Sequence, residues 1–188
     1  MVYSNGKVAG VLFFVAATQF ILGLIIAEAL YPGYSISNNY ISDLGVGPSS
    51  MVFNASIFLL GLVFLIGTYF LQHAFNLKLM TISLTIAAIA AMGVGIFTEN
   101  SEPMHMFVSF FVFLFGGLSA IFSYRLMKQP FSIMVILLGL MSLLALILYI
   151  ENFYFGLGVG GMERMIVYPI LIWMIGFGGF LIAFSEKS

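Results

Sequence analysis

FSIMVILLGLMSLLALILYI, residues 131–150, runs for twenty positions without a charged side chain. A helix rises about 1.5 Å per residue, so this stretch measures roughly 30 Å, the thickness of the hydrocarbon layer of a bilayer. No water is present there to satisfy backbone N–H and C=O groups, and a single segment satisfies its own only as a helix. Outward from it, five further runs share this character, at residues 8–27, 51–71, 79–97, 104–124 and 165–184. The expected fold is all-α: a polytopic bundle of six transmembrane helices forming one transmembrane domain over residues 1–188. The first run follows Lys7 and ends at Ala27-Glu28-Ala29, which resembles a signal-peptide cleavage site. Its apolar stretch exceeds the usual length of about 7–15 residues, so a retained helix is expected.

Composition agrees. The chain is 62% hydrophobic and 7% charged, with a mean hydropathy of +1.17, far outside the range of soluble domains. The 21 Phe against a single Trp suit side chains packed against acyl tails and neighbouring helices. A net charge of −1 offers no footprint for nucleic acid. The absence of Cys removes disulfides, thiolate metal ligands and cysteine nucleophiles. Chemistry must therefore use oxygen, imidazole or guanidinium groups.

Basic residues near short loops are held in the cytoplasm. If six helices alternate, Lys7, Lys78, Arg125, Lys128 and Lys187 fall on one side and only Arg164 on the other. Glu28, Asp43, Glu99, Glu102, Glu151 and Glu163 fall with Arg164, leaving Glu186 alone opposite. The expectation is a multi-pass protein of the cell membrane with both termini in the cytoplasm. Residues 72–78 and 125–130 then form tight inner turns. The two longer connections, LYPGYSISNNYISDLGVGPSS at 30–50 and NFYFGLGVGG at 152–161, lie outside, where their turn-forming Gly and Pro let them fold over the helix ends.

No Asp, Glu, Lys, Arg or His sits near the middle of any run, which disfavours a proton pump or ion-coupled carrier. Arg164 stands out because it is the one base on an acidic face. It is expected to open the sixth helix, where the macrodipole opposes a cation. A compensating carboxylate is therefore expected: Asp43 first, with Glu99 and Glu151 as alternatives, since Glu163 points about 100° away round the helix. His105 follows Glu102 in a Glu-x-x-His spacing that di-metal bundles use twice. Here it occurs once, and the simpler reading has Ser101 or Glu102 capping the fourth helix with Pro103 in its first turn. The only other histidine, His73, lies at the opposite end, so a three-histidine zinc site is excluded. No metal or cofactor is expected. Ser42 beside Asp43 reads as a turn or cap rather than a nucleophile. Gly176, Gly178 and Gly179, and Gly93 with Gly95, are expected to let helices approach closely.

Taken together, YPGYSISNNYISDLGVGP, the FN that follows it in the second helix, GIFTENSEPMH and GGMERMIVYPILIW resemble the membrane family catalogued as domain of unknown function 998, over essentially the whole chain. The resemblance implies the same architecture. Its shared motifs map onto Ser42, Asp43, Gly45 and Pro48, then His105, then Glu163 with Arg164. The ISDLG-and-Pro element is also similar to one in the DRAM-like proteins and their relatives in lipid-anchor remodelling.

These observations lead to a functional expectation: Asp43, His105, Glu163 and Arg164 converge on an outward-facing polar pocket that binds a lipid headgroup or similar amphiphile. Tyr31, Tyr34, Phe153 and Tyr154 would supply its aromatic wall. A lipid-modifying enzyme is the sharper version, with Asp43 or His105 as general base. The contrasting classes are a structural or assembly subunit of a membrane complex, with a protein partner or a second copy of the chain, and a passive transporter of an uncharged solute.

Overall fold

The computed structural model describes residues 2–186. The Glu186 side chain and Lys187, both used above in assigning sides, lie outside the described residues. Six long helices carry the fold: α1 (Val2–Leu30), α2 (Ser50–Phe75), α3 (Lys78–Ile96), α4 (Met104–Phe122), α5 (Phe131–Ile150) and α6 (Gly158–Glu186). No strand occurs among the described residues. All six are long and apolar enough to cross a membrane, making this a multi-pass membrane protein.

Each helix packs on its neighbours in sequence, and α6 returns to α1 to close the ring. Short connections enforce this order. At the α2–α3 turn, Asn76 adopts a left-handed conformation (φ 49°) and donates its amide to Gln72 O at 2.9 Å. This closes the helix with one of the few residue types that tolerate positive φ. The Gln72 amide then donates to Asn76 Oδ1, and Thr81 Oγ1 donates to Gln72 Oε1.

The centre is aromatic. Phe13, Phe64, Trp173 and Phe177, from α1, α2 and α6, stack or meet edge-on with centroids 4.9–6.5 Å apart. Lipid supplies no hydrophobic contrast to drive helices together, so close packing and buried hydrogen bonds must hold them. Gly10 and Gly178 bring the α1 and α6 backbones into contact, and Gly95 lies against Asn54 O of α2. Gly176 and Gly179, by contrast, face open space. Gln19 in α1 donates to Ser56 O of α2 at 2.9 Å, Ser119 in α4 to Ser83 Oγ of α3 at 2.9 Å, and Ser142 in α5 to Ile166 O of α6 at 2.9 Å. That last bond lies one turn before Pro169, which cannot donate within α6.

Helix α5 matches its sequence boundaries, while α6 begins seven residues earlier than expected. Glycines 158, 160 and 161 signal a loop by propensity. Without side chains, however, they let the connection between α1 and α2 lie directly on the first turn of α6. Gly158 (φ +75°) touches Ser37, Gly160 touches the carbonyls of Ile36 and Asn39, and the Gly160 amide donates to Ser37 O at 3.1 Å. Arg164 accordingly sits in the second turn of α6 rather than opening it. At α4 the position before the first turn is Pro103, and neither Ser101 nor Glu102 caps the helix.

An acid-lined chamber beside a buried arginine

The end of the bundle that gathers the 31–49 and 151–157 connections also gathers most of the ionisable groups, in two neighbouring clusters. The first is built on Arg164, which is 4% exposed. Its Nη2 donates to Glu28 Oε1 at 2.5 Å and to the Tyr34 hydroxyl at 2.8 Å. Its Nη1 donates to Ile36 O at 3.1 Å and to Gly160 O at 3.0 Å. The guanidinium also stands 5.6 Å from the Tyr34 ring centre, a cation–π distance. The Tyr34 hydroxyl in turn donates a hydrogen bond to Tyr40 O at 2.8 Å, and burial pushes its phenol up to about 12, against the opposing pull of Arg164. The compensating acid is therefore Glu28 from the last turn of α1, not Asp43. A fork of donors reaching one carboxylate, one hydroxyl and two carbonyls is what guanidinium geometry permits and an ammonium does not. The Nε of Arg164 is buried without a partner.

Glu163, one position earlier, points elsewhere. It is 6% exposed, and its Oε2 accepts the Ile41 amide at 2.6 Å. The two adjacent residues of α6 thus grip the 31–41 segment at two points, Ile36 and Ile41.

The second cluster surrounds a chamber of about 440 Å³ lined by Glu99, Glu102, His105, Glu163 and the tyrosines 40, 149 and 154, among others. That volume falls within the range of small-ligand sites, about 300–1,000 Å³. Beside it lies a smaller crevice of about 70 Å³ between the helices, and Ser42, Ser109, Phe113 and Glu163 line both. Apart from Ser42, Ser109 and Glu163, the crevice wall is apolar.

His105 is 6% exposed and places Nδ1 at 2.8 Å from Phe97 O. A carbonyl only accepts, so Nδ1 carries a proton, and Ser109 Oγ lies 3.4 Å from Nε2. Asp43 lies in the short helical turn Ser42–Gly45. Its Oδ2 accepts the Asn39 side-chain amide at 2.8 Å and the Tyr40 backbone amide at 3.0 Å. Its carboxyl group also lies close to that of Glu99, whose titration it raises.

The four residues singled out from sequence therefore separate. His105 and Glu163 line one chamber, and Asp43 reaches it through Glu99. Arg164 is not among its walls. Of the anticipated aromatics, Tyr154 lines the chamber, Tyr34 holds Arg164, Tyr31 packs on Tyr34 at 5.6 Å and Phe153 pairs with Phe155 at 4.5 Å. Sequence reasoning did not assign Glu28 to Arg164, nor Tyr40, Tyr149 and Ser109 to the chamber. For Glu28 a signal existed, since it ends α1 much as Glu99 follows α3 and Glu151 follows α5.

Glu99 titrates in the folded protein at about 7, raised from an ordinary 4.5 first by burial and then by the hydrogen bond and charge of Asp43. The folded state consequently binds a proton that the unfolded chain releases between those values. Stability from this group is greatest below about 4.5 and falls as pH rises through about 7. Thermal unfolding midpoints are expected to drop between pH 5 and pH 8, and Glu99→Gln to flatten that part of the profile. An unchanged slope in the variant would refute the raised titration of Glu99.

No curated protein and no solved structure matches the chain, and the similarity to DRAM-like proteins is not shown. A family model described as protein of unknown function (DUF998) matches residues 14–179, a range from the first half of α1 almost to the end of α6 that includes every residue of both clusters. With six apolar helices and this match across most of its length, the chain belongs to the DUF998 family of membrane proteins.

Proposed function

We propose that the protein binds a membrane amphiphile, with the polar headgroup in the chamber and an apolar segment along the crevice. The observation that carries this reading is the shared boundary at Ser42, Ser109, Phe113 and Glu163. A cavity carrying carboxyl, imidazole and phenol groups beside an apolar slot at the end of membrane-spanning helices has the polarity profile of a lipid. The phosphate contact anticipated for Arg164 is not part of the proposal, because that guanidinium is engaged by Glu28, Tyr34, Ile36 and Gly160.

The test is retention of lipid through purification. The full chain in mild detergent is expected to carry an amphiphile, detected by native mass spectrometry, that Ser109→Trp lacks because the indole fills the junction of chamber and crevice. Equal lipid retention by a folded Ser109→Trp protein would overturn the reading.

The excess of basic residues at the opposite end supports a chamber opening on the extracytoplasmic face of the cell membrane. A cysteine introduced by Gln129→Cys, at an exposed position of the 125–130 turn, has no native background. It is expected to react with an impermeant maleimide only after cells are permeabilised, and labelling in intact cells reverses the orientation.

A further inference from the structure

The chemical class of the headgroup follows from the charges and rings of the chamber, and this inference rests on the amphiphile reading above. Glu99, Glu102 and Glu163 line the chamber and Asp43 stands behind Glu99, while no Lys or Arg contributes to the wall. Glu163 is the informative member. It is 6% exposed, its Oε2 is taken by the Ile41 amide, and its Oε1 has no hydrogen-bond partner among the described residues. A carboxyl group buried at the end of a membrane bundle and satisfied on one oxygen feels Arg164, whose guanidinium is turned to Glu28, and desolvating its charged form costs several kcal/mol unless a cation or a proton is supplied.

The aromatic residues add a second, independent feature. Tyr40 and Tyr149 lie 6.2 Å apart at 70°, and Tyr149 and Tyr154 lie 6.3 Å apart at 56°. Three rings from the 31–41 segment, α5 and the 151–157 segment thus meet the same cavity at steep mutual angles. Ring faces carry negative quadrupole and attract organic cations.

The size of the expected cation follows as well. Among the described residues, no three His, Cys, Asp or Glu side chains lie together closely enough to hold a metal ion. The carboxyl groups are spread around a chamber of about 440 Å³, which suits a bulkier cation contacting them one at a time. We propose that the chamber recognises an ammonium headgroup, primary or quaternary, held by Glu99 and Glu163 and enclosed by Tyr40, Tyr149 and Tyr154.

Binding of such a group is coupled to protons. Around Glu99 stand Asp43 from the turn after the 31–41 segment, Tyr40 from that segment, Glu102 and His105 at the start of α4, Tyr149 of α5 and Glu163 of α6. The near-neutral titration of Glu99 means that an arriving cation displaces its proton. A neutral or anionic headgroup displaces none.

Butyltrimethylammonium, butyl glucoside and butyl phosphate share one short chain and differ in head. Each is titrated by calorimetry into the full-length protein in dodecyl maltoside, at pH 6 and pH 8. The ammonium probe alone is expected to bind saturably, up to about tenfold more tightly at pH 8 than at pH 6, as release of one proton requires. Glu99→Gln is expected to abolish the pH dependence and Tyr154→Leu, outside the helices, to weaken binding at both pH values. If the glucoside or the phosphate binds instead and Ser109→Trp blocks it, the amphiphile reading stands and the ammonium assignment falls. Binding of the ammonium probe that neither Glu99→Gln nor Tyr154→Leu alters, or no binding by any probe, also overturns the assignment. Lipid retention by the wild type but not by Ser109→Trp then decides separately whether the amphiphile reading survives.

Discussion

Arg164→Met is expected to destabilise the protein by about 3–5 kcal/mol, the usual cost of removing one partner from a buried ion pair. For a chain of this size that corresponds to a fall of roughly 10 °C in thermal midpoint. The substitution keeps most of the apolar stem but removes the donors that serve Glu28, Tyr34, Ile36 O and Gly160 O. Glu28 is left with its carboxylate 20% exposed and no cation, so neutralising it as well should recover part of the loss. The double variant Glu28→Gln with Arg164→Met is therefore expected to be less destabilised than the sum of the two single changes, the signature of residues in direct contact. Arg164→Lys should rescue only in part, because an ammonium cannot reproduce the planar fork. Strict additivity in that cycle would show that the two residues are not coupled.

Gly160→Ala is expected to have the second-largest effect, although it adds one methyl group. That methyl would overlap the carbonyl oxygens of Asn39 and Ile36, backbone atoms that cannot swing aside as a flexible side chain does. Overpacking of this kind typically costs 1–3 kcal/mol, and about 3 kcal/mol is expected here because the displaced strand of chain carries further bonds. The Ile36 carbonyl takes a hydrogen bond from Arg164, and the Ile41 amide gives one to Glu163. Lifting the 31–41 segment from α6 loosens both. Faster proteolytic cleavage within residues 31–41 should accompany the lower thermal midpoint. Gly176→Ala and Gly179→Ala, where the added methyl meets open space, are the matched controls and are expected to change stability little. If all three variants behave alike, the contact between Gly160 and the 31–41 segment is not what requires glycine there.

The two clusters are linked through α6. Glu163 faces the chamber and Arg164 faces Glu28 because successive side chains on a helix diverge by about 100°. One turn of α6 thus holds the 31–41 segment with both residues and presents the Glu163 carboxyl group to the cavity. A change at Arg164 should consequently disturb the chamber only through the position of that segment.

What the sequence determined by itself is the set of spans. Hydropathy is a local property, accumulated over about 20 consecutive residues, and the requirement that backbone groups in lipid be satisfied within the segment leaves a helix as the answer. The same locality made the concentration of acids, Arg164 and His105 at one end readable, since helix count alone assigns each residue to an end. The tertiary structure decided the partners. Arg164 meets Glu28 across 136 positions and Ile36 across 128, and the choice between Glu28 and Asp43 depends on how α1 and α6 lie side by side, which no local pattern encodes. The start of α6 belongs with the partners. Gly158, Gly160 and Gly161 read as a loop because their backbone freedom opposes a helix. They form one because only residues without side chains allow the 31–41 segment to lie against that turn.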